Sequence, residues 1–173
     1  MTDCWDKLYE DCVSCTACEL SKTRTNCVFG VGNRSADIMF IGEAPGENED
    51  KTGVPFVGRA GQLLDKYLYA VDIPRDKVYI ANILKCRPPK NRDPLPAEED
   101  LCIDFLRRQV LLIKPDFKIT KEHGSWFVKG NYLITAVYHP ALLLRDPRKK
   151  EEMLEDMKTI KNKLDELNIK LEN

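Results

Sequence analysis

The chain lacks an excess of charge of either sign. Its 27 Lys and Arg residues are balanced by 28 Asp and Glu residues, which gives a formal net charge of −1 and a pI of about 6.2. A protein with this balance has no global field that attracts a polyanion. Any binding to nucleic acid would have to come from local basic patches.

The sequence also lacks long apolar runs. No stretch approaches the ~18 apolar residues of a transmembrane helix, and the first residues have neither the basic nor the apolar region of a signal peptide. We therefore expect a cytoplasmic protein that does not bind membranes. The 173 residues are 43% hydrophobic and 32% charged, as in ordinary globular proteins, and they predict a single domain spanning residues 1–173.

Cysteine, by contrast, is abundant for a protein of the cytoplasm, where disulfides are rare. The chain has seven cysteines, and most of them lie within residues 1–27, a short Cys-rich N-terminal segment. Cys15-x2-Cys18 is a clamp that can direct both sulfurs at one metal centre, and Cys86 and Cys102 follow as isolated cysteines. Spacing alone leaves open a zinc site, an iron–sulfur cluster, or burial of the two isolated cysteines as apolar residues. The remaining cysteines, Cys4, Cys12 and Cys27, are predicted to be free.

Apolar runs and amphipathic patterns predict alternating strands and helices. Buried strands are predicted at residues 36–42, 78–84 and 132–138. The predicted loops are residues 43–59 and 88–96. The predicted helices are residues 5–12, the segment after Gly61, residues 96–113 and the segment opened by Asp146 and Pro147. This alternation predicts a layered α/β domain with a mainly parallel sheet.

Each predicted strand leads into polar or glycine residues, namely Gly42-Glu43, Asn82 and His139. Since ligands bind at the carboxyl ends of parallel strands, these residues are expected to meet at one edge of the sheet. Structural alternatives exist: Glu43 could be a solvated turn residue, and Asn82 could be satisfied by the protein itself. Phe56 lies among glycines and prolines, which favours a displayed ring over a core position.

Four motifs occur in order along the chain. They are Gly42-Glu43-Ala44-Pro45-Gly46, residues 49–61 with Pro55-Phe56-Val57-Gly58-Arg59-Ala60-Gly61, residues 82–92 with Asn82-Ile83-Leu84-Lys85-Cys86-Arg87-Pro88-Pro89, and residues 139–145 with His139-Pro140-Ala141. No single motif is specific, but jointly they are. Together with Cys15, Cys18, Cys86 and Cys102, they closely resemble the family 4 uracil-DNA glycosylases over residues 8–158.

The resemblance implies a fold, a cofactor and a reaction. The fold is a three-layer α/β/α sandwich of the uracil-DNA glycosylase type, and the cofactor is a [4Fe–4S] cluster held by the same four cysteines. The reaction begins when uracil is flipped out of DNA, and it hydrolyses the N-glycosidic bond to initiate base excision repair. We expect a monomer whose partner is single- or double-stranded uracil-containing DNA.

The resemblance also implies which residues bind the base. Phe56 would stack on the extruded uracil. Asn82 would read the uracil edge, because its carbonyl can accept from N3–H and its amide can donate to O4. Backbone groups of Gly42 and Ala44 would line the same pocket, and Glu49 would exclude a 5-methyl group.

Two further roles are implied for catalysis, and one for DNA distortion. Glu43 would orient water toward C1′ of an oxocarbenium-like sugar, and His139 would stabilise the charge that develops on uracil O2. A run of apolar residues after His139 resembles the wedge that fills the vacated position in the base stack. The wedge residues are Leu142, Leu143, Leu144 and Arg145.

Two local basic runs flank these motifs. One comprises Lys85, Arg87, Lys90 and Arg92, and the other comprises Arg145, Arg148, Lys149 and Lys150. A basic run usually forms a solvated face. Beside the motifs, both runs are predicted to contact DNA phosphates.

Between Pro115 and Tyr132 the chain departs from the family pattern. The family has an apolar strand, a Gly-containing turn and a helix there, and this sequence shows no recognisable strand–helix unit. Loss of an internal strand would expose sheet edges and part of the core. Two hypotheses follow: an active glycosylase, or a non-catalytic or truncated member that binds DNA or uracil without excision. The presence of every candidate site residue favours the first.

Overall fold

A computed structural model of the chain describes residues 4–120, 126–129, 132–169 and 171. The α-helices are α1 (Trp5–Val13), α2 (Leu20–Thr23), α3 (Glu47–Thr52), α4 (Arg59–Ala70), α5 (Pro96–Ile113), α6 (Pro140–Arg145) and α7 (Lys150–Glu166). The strands are β1 (Val31–Gly32), β2 (Ile38–Gly42), β3 (Val78–Asn82), β4 (Phe117–Thr120), β5 (Trp126–Lys129) and β6 (Tyr132–Ala136). Within this described part, we find no helix with the length and apolarity needed to cross a bilayer.

The strands form one sheet in the order β1-β3-β2-β4-β6-β5. The inner strands β3, β2, β4 and β6 are parallel, and β1 and β5 pair antiparallel at the two edges. This confirms the predicted mainly parallel sheet. The register of β2 and β3 ends with Gly42 opposite Asn82, so the predicted site residues of these two strands meet at one edge.

Apolar side chains pack on both faces of the sheet. Ile38 and Phe40 of β2 contact a core formed with α4 and α7, whereas Met39 between them faces a second core formed with α5. Because successive residues of a strand point to opposite faces, a strand covered on both sides reads as a continuous apolar run. The fold is therefore the three-layer α/β/α sandwich that the resemblance implied.

Two local predictions need correction. The predicted loop at residues 43–59 contains α3, a polar helix without apolar periodicity. The Glu49 carboxylate caps its first turn by accepting from Gly46 N at 3.1 Å. At the other end of the chain, Asp146 accepts from Arg148 N at 3.3 Å and caps a short 3₁₀ turn at Pro147–Lys149. Helix α7 therefore begins at Lys150.

The prediction that an internal strand is missing after Pro115 is wrong. Strand β4 follows almost directly and pairs in parallel with both β2 and β6, with Phe117 opposite Ile38 and Leu133. Its Phe-Lys-Ile-Thr sequence alternates apolar and polar residues, unlike the continuous apolar runs of β2 and β3, and this hid it from sequence inspection. In the described part of residues 114–131, β4 is followed by β5, which pairs with β6.

Candidate active site

A cavity of about 350 Å³ opens at the carboxyl ends of β2, β3 and β6. Glu43, Ala44, Phe56, Asn82 and His139 all border it. The structure thus brings together, in one pocket, residues that the sequence places on three strands and one loop. The turn at residues 88–94 and the start of α6 complete its walls.

Gly42 determines how closely the pocket side chains approach each other. A Cβ at this position would lie 2.3 Å from Asn82 Oδ1 and 2.7 Å from Phe56 Cζ. Real side chains do not tolerate such contacts, so only glycine lets the Asn82 amide and the Phe56 ring meet over the end of β2. An amide and an aromatic ring therefore border the same small space.

The backbone around Phe56 is held in a strained conformation. Its φ is +55°, which costs a non-glycine residue about 1–2 kcal/mol. Gly61 of α4 packs directly against it, since a Cβ there would lie 1.8 Å from Phe56 O. Arg75 Nη2 donates to the carbonyl oxygens of Pro55 and Phe56, at 3.2 Å each. The ring is thereby fixed beside His139, with 5.7 Å between ring centroids.

Glu49 joins α3 to the turn that carries Phe56. Its Oε1 accepts from the backbone N–H groups of Val57 at 2.9 Å and Gly58 at 2.7 Å, and its Oε2 accepts from Gly46 N. The carboxylate also borders the cavity. The spacing of Gly46 and Glu49 signals the bond to Gly46 N, but no local sequence pattern signals the bonds to Val57 and Gly58.

Asn82, the last residue of β3, is 2% exposed. Within the described part of the chain, no group donates a hydrogen bond to its Oδ1. Buried acceptors are nearly always paired, and leaving one unpaired costs about 1–3 kcal/mol. The amide oxygen at the cavity wall is therefore suited to an N–H donor on a ligand.

Glu43 and His139 reach the cavity from different strands. The carbonyl oxygen of Glu43 accepts from Leu84 N at 2.9 Å, which ties the residue after β2 to the turn after β3. His139 has the extended backbone expected before proline, and its Nδ1 accepts from Ala141 N at 3.2 Å. A ring nitrogen that accepts carries no proton, so the neutral imidazole has its hydrogen on Nε2.

The predicted wedge is a helix, and one of its leucines is buried. Leu142 and Leu144 are 41% and 39% exposed, whereas Leu143 is 0% exposed and belongs to the core beside α4 and α7. The wedge prediction is therefore wrong for Leu143, because the helical turn directs this side chain inward. Leu142 and Arg145 border the cavity, which leaves an apolar, cation-flanked surface at its mouth.

The basic run at residues 85–92 is only partly available to DNA. Lys85 is 1% exposed, and burial lowers its pKa to about 8, so its predicted contact with phosphate is wrong. Arg92 donates to both oxygens of Glu98, at 2.6 and 2.9 Å. Sequence shows the charge of a residue but not whether the fold encloses it, and Lys85 lies inside the protein.

A second cavity is bordered by all four predicted ligand cysteines, Cys15, Cys18, Cys86 and Cys102. It lies between the N-terminal segment, the turn after β3 and α5. None of the described residues that border it carries a carboxylate or an imidazole. Across the described residues, no three Cys, His, Asp or Glu side chains form a group that could hold a single metal ion. The four thiols surround a cavity instead.

Hydrogen-bond donors reach two of these sulfurs. Arg24 Nη1 donates to Cys86 Sγ at 3.2 Å, and Lys85 N donates to Cys102 Sγ at 3.3 Å. Burial raises the pKa of the Cys102 thiol to about 11 and also raises that of Cys86. Metal ligation opposes this effect, because a coordinating thiol loses its proton. The donors are already arranged to stabilise thiolates.

The remaining cysteines, Cys4, Cys12 and Cys27, differ in their exposure and contacts. Cys4 is exposed, and none of the seven cysteines forms a disulfide. Cys12 is 1% exposed, and its Sγ lies 3.4 Å from Cys27 Sγ. The two thiols therefore contact each other beside the second cavity, which Cys12 also borders.

Sequence comparison assigns the family. The family model for the Uracil DNA glycosylase superfamily matches residues 29–161, and a type-4 uracil-DNA glycosylase of Archaeoglobus fulgidus is 41% identical across 90% of both chains. This chain belongs to the type-4 uracil-DNA glycosylases. Proteins of the same name from Sulfurisphaera tokodaii and Thermotoga maritima are 39% and 44% identical, over 92% and 76% of this chain and 84% and 79% of their own. The resemblance drawn from the motifs is confirmed.

Proposed function

We propose that this glycosylase excises uracil from DNA by hydrolysing the N-glycosidic bond, and so initiates base excision repair. One observation carries the proposal: Asn82 Oδ1 is a buried acceptor to which none of the described residues donates, and it lies beside the space that Gly42 leaves next to Phe56. Uracil presents N3–H to such an oxygen. Its ring would stack on Phe56, a contact worth about 1–3 kcal/mol per base.

The same oxygen would discriminate against cytosine. Cytosine N3 is an acceptor, so cytosine would place two acceptors against each other in a buried site. A pocket built to hydrogen-bond its substrate rejects an analogue that leaves its polar groups unpaired, by about 10⁴–10⁵ in favourable cases. Uracil preference would therefore depend on the burial of Asn82 as much as on its chemistry.

Glu43 and His139 would divide the chemistry between them. After the base is flipped out of the duplex, the Glu43 carboxylate would orient water toward C1′. His139 would donate from Nε2 to uracil O2 as negative charge develops there. Leu142 and Leu144, the exposed leucines of α6, would fill the vacated stack, with Arg145 beside them to contact phosphate.

The resident cofactor in this proposal is a [4Fe–4S] cluster on Cys15, Cys18, Cys86 and Cys102. The donor set fits it: four thiols border one cavity, two of them receive N–H donors, and the cations Arg24 and Lys85 line the wall, where they offset thiolate charge. When bound, the cluster would supply thiolate–iron bonds that cross-link the N-terminal segment to the turn after β3 and to α5. Zinc on the same thiols is the alternative that metal analysis separates.

The binding-only alternative loses its motivation. It rested on the loss of an internal strand, and β4 occupies an internal position between β2 and β6. Action as a monomer on single- or double-stranded DNA is part of the same proposal.

The direct experiment uses oligonucleotides that carry one uracil, with matched oligonucleotides that carry cytosine or thymine. We expect the metal-loaded protein to release free uracil and to leave the other two bases attached. A protein with its full metal content that binds uracil-containing DNA and releases no base would overturn the proposal in favour of binding alone.

A further inference from the structure

Lys85 is enclosed by the protein. It lies between the base pocket, which is the cavity bordered by Asn82 and Phe56, and the cysteine cavity, which is the second cavity bordered by the four predicted ligand cysteines. Its Nζ donates to three oxygens, those of Asn82 O at 2.9 Å, Phe29 O at 3.1 Å and Gln109 Oε1 at 2.8 Å. Three acceptors require three N–H groups, which only the ammonium form has. All three direct acceptors of Lys85 Nζ are neutral oxygens.

Burying the Lys85 side chain lowers the stability of the fold, so a functional reason for it is sought. Enclosing an ion costs several kcal/mol, and an apolar side chain of similar volume is often at least as stabilising. Lys85 is 1% exposed and Gln109 is 0% exposed. Gln109 itself is tied down by its Nε2, which donates to Phe29 O at 2.9 Å and Tyr79 Oη at 3.1 Å. Gln109 therefore belongs to a buried network with Phe29 and Tyr79, and Lys85 Nζ has two acceptors besides Gln109.

One of the three acceptors belongs to the base-reading residue. The peptide between Asn82 and Ile83 lies where the pairing of β2 with β3 ends. Its N–H donates to Gly42 O at 3.0 Å, and its carbonyl accepts from Lys85 Nζ. Both polar ends of this peptide are therefore held, and the Asn82 side chain is attached to it.

We propose that Lys85 is a positioning residue for Asn82, and that this one residue joins the cysteine cavity to the base pocket. The backbone N–H of Lys85 donates to Cys102 Sγ, and Cys86 is the next residue along the chain. The side-chain Nζ of Lys85 donates to the carbonyl oxygen of Asn82. The inference rests on the proposed uracil excision, since it assigns a role to the residue that would read the base. It assigns a role to the bond from Lys85 to Asn82, in addition to the thiolate charge that the same cation would offset in the cysteine cavity.

A general structural role is the competing explanation, and Gln109 separates the two. Gln109→Met removes the hydrogen bonds of Gln109 to Lys85, Phe29 and Tyr79, but leaves the bond from Lys85 to Asn82 possible. Lys85→Met removes the bond to Asn82. If Lys85 only stabilises the core, both variants should change the enzyme in parallel. If it positions Asn82, only Lys85→Met should impair recognition of uracil.

The test measures four quantities on the metal-loaded full chain: iron content, melting temperature, Kd for free uracil, and the single-turnover excision rate. For Lys85→Met we expect parental iron content, weaker uracil binding and a rate lowered by about 10- to 100-fold, the usual cost of a displaced contact group. Gln109→Met should keep uracil affinity and rate within about threefold, even where its melting temperature falls. Parental uracil affinity and rate in Lys85→Met, or parallel losses in both variants, would overturn the inference.

A double-mutant cycle with Asn82→Ala supplies the second criterion. If Lys85 acts through Asn82, adding Lys85→Met to Asn82→Ala should change the rate little further, whereas independent roles should multiply. Should Lys85→Met lose its iron, Lys85→Gln, which keeps an N–H donor, replaces it in every arm, with intermediate affinity expected. An inactive parent refutes the proposed excision itself. An active parent with an unimpaired Lys85 variant refutes only this inference.

Discussion

At the scale of single residues, the base pocket depends on the absence of a side chain at Gly42. Gly42 leaves the space in which the Asn82 amide and the Phe56 ring come together. Asn82 is buried, and its Oδ1 has no donor among the residues that the structure describes. Phe56 is held in a left-handed conformation by Gly61 and Arg75. In the proposed function, recognition of the base would therefore depend on a few groups that are fixed before any ligand binds, an arrangement that makes differential binding possible.

Asn82→Asp tests the reading of the uracil edge. A carboxylate can accept from N3–H but cannot donate to O4, and it adds a charge to a buried position. We expect single-turnover excision of uracil to fall by at least about 10²-fold. Asn33→Asp, the same change at an exposed residue away from the cavity, should leave the rate unchanged. An Asn82→Asp enzyme with the parental rate would show that another group reads the base.

The sequence predicts which residues border the cavity better than it predicts which side chains are exposed to solvent. Glu43, Phe56, Asn82 and His139 were singled out from sequence, and one cavity receives them all. The predictions for Lys85 and Leu143 are wrong because distant segments create the environment of these residues: Phe29 and Gln109 enclose the lysine, and α4 and α7 cover the leucine. A basic run or an apolar run does not show which of its members face inward.

At the scale of elements, carboxylates in the first turns of α3 and α5 bind the loops around the pocket. Glu49 fixes the Phe56 turn to α3, and Glu98 does the same for the turn before α5. The Glu98 carboxylate accepts from Leu95 N at 2.9 Å and from both terminal nitrogens of Arg92. Because Arg92 borders the cavity, the start of α5 helps to shape the pocket wall.

Glu98→Gln tests this support through its pH dependence. The hydrogen bonds from Arg92 lower the pKa of Glu98 below its usual 4.5. A lowered carboxyl pKa stabilises the fold above about pH 4.5, and this stabilisation is lost as the pH falls through the folded-state pKa. We expect Glu98→Gln to lose about 1 kcal/mol at neutral pH. The difference from the parent should shrink in acid, as followed by urea unfolding.

Asp100→Asn is the matched control, since Asp100 is an exposed acid on the same helix. It should unfold like the parent at both pH values. A Glu98→Gln deficit that stays constant from neutral to acidic pH would mean that the charge of Glu98 contributes nothing.

Elements with a strong apolar pattern were predictable, and those without one were not. The runs at β2, β3 and β6 and the amphipathic faces of α4 and α5 correspond to real elements with small shifts at their ends. Helix α3 escaped prediction because Glu47–Thr52 contains no apolar residue and is stabilised by contacts outside itself. Strand β4 escaped because its stability comes from β2 and β6 on either side, which no short window of sequence reveals.

At the scale of the whole molecule, the proposed cluster connects segments far apart in sequence. Cys15 and Cys18 belong to the N-terminal segment, Cys86 follows β3, and Cys102 lies in α5. Asp50, which is 4% exposed, adds a second connection by accepting from Thr25 N at 2.9 Å. The N-terminal segment is thus attached to the elements that surround the base pocket.

Metal analysis tests that connection. We expect about four irons per chain and the broad visible absorption of a Cys4-bound cubane in anaerobically purified protein. Cys15→Ser and Cys86→Ser should lose the iron and melt at a lower temperature. Cys4→Ser and Cys27→Ser should keep it. Stoichiometric zinc without iron, or iron retained by Cys86→Ser, would refute this ligand assignment.

The most direct test of the account is single-turnover excision of uracil by Glu43→Ala and His139→Ala beside the parent. Each variant removes a group that acts in the transition state, so each rate should fall by about 10²–10³-fold, while binding to uracil-containing DNA changes little. Glu155→Ala is the control, since Glu155 pairs with Lys158 on the surface of α7 at 2.7 Å. Parental rates in both Glu43→Ala and His139→Ala would contradict the assignment of this cavity as the site of base excision.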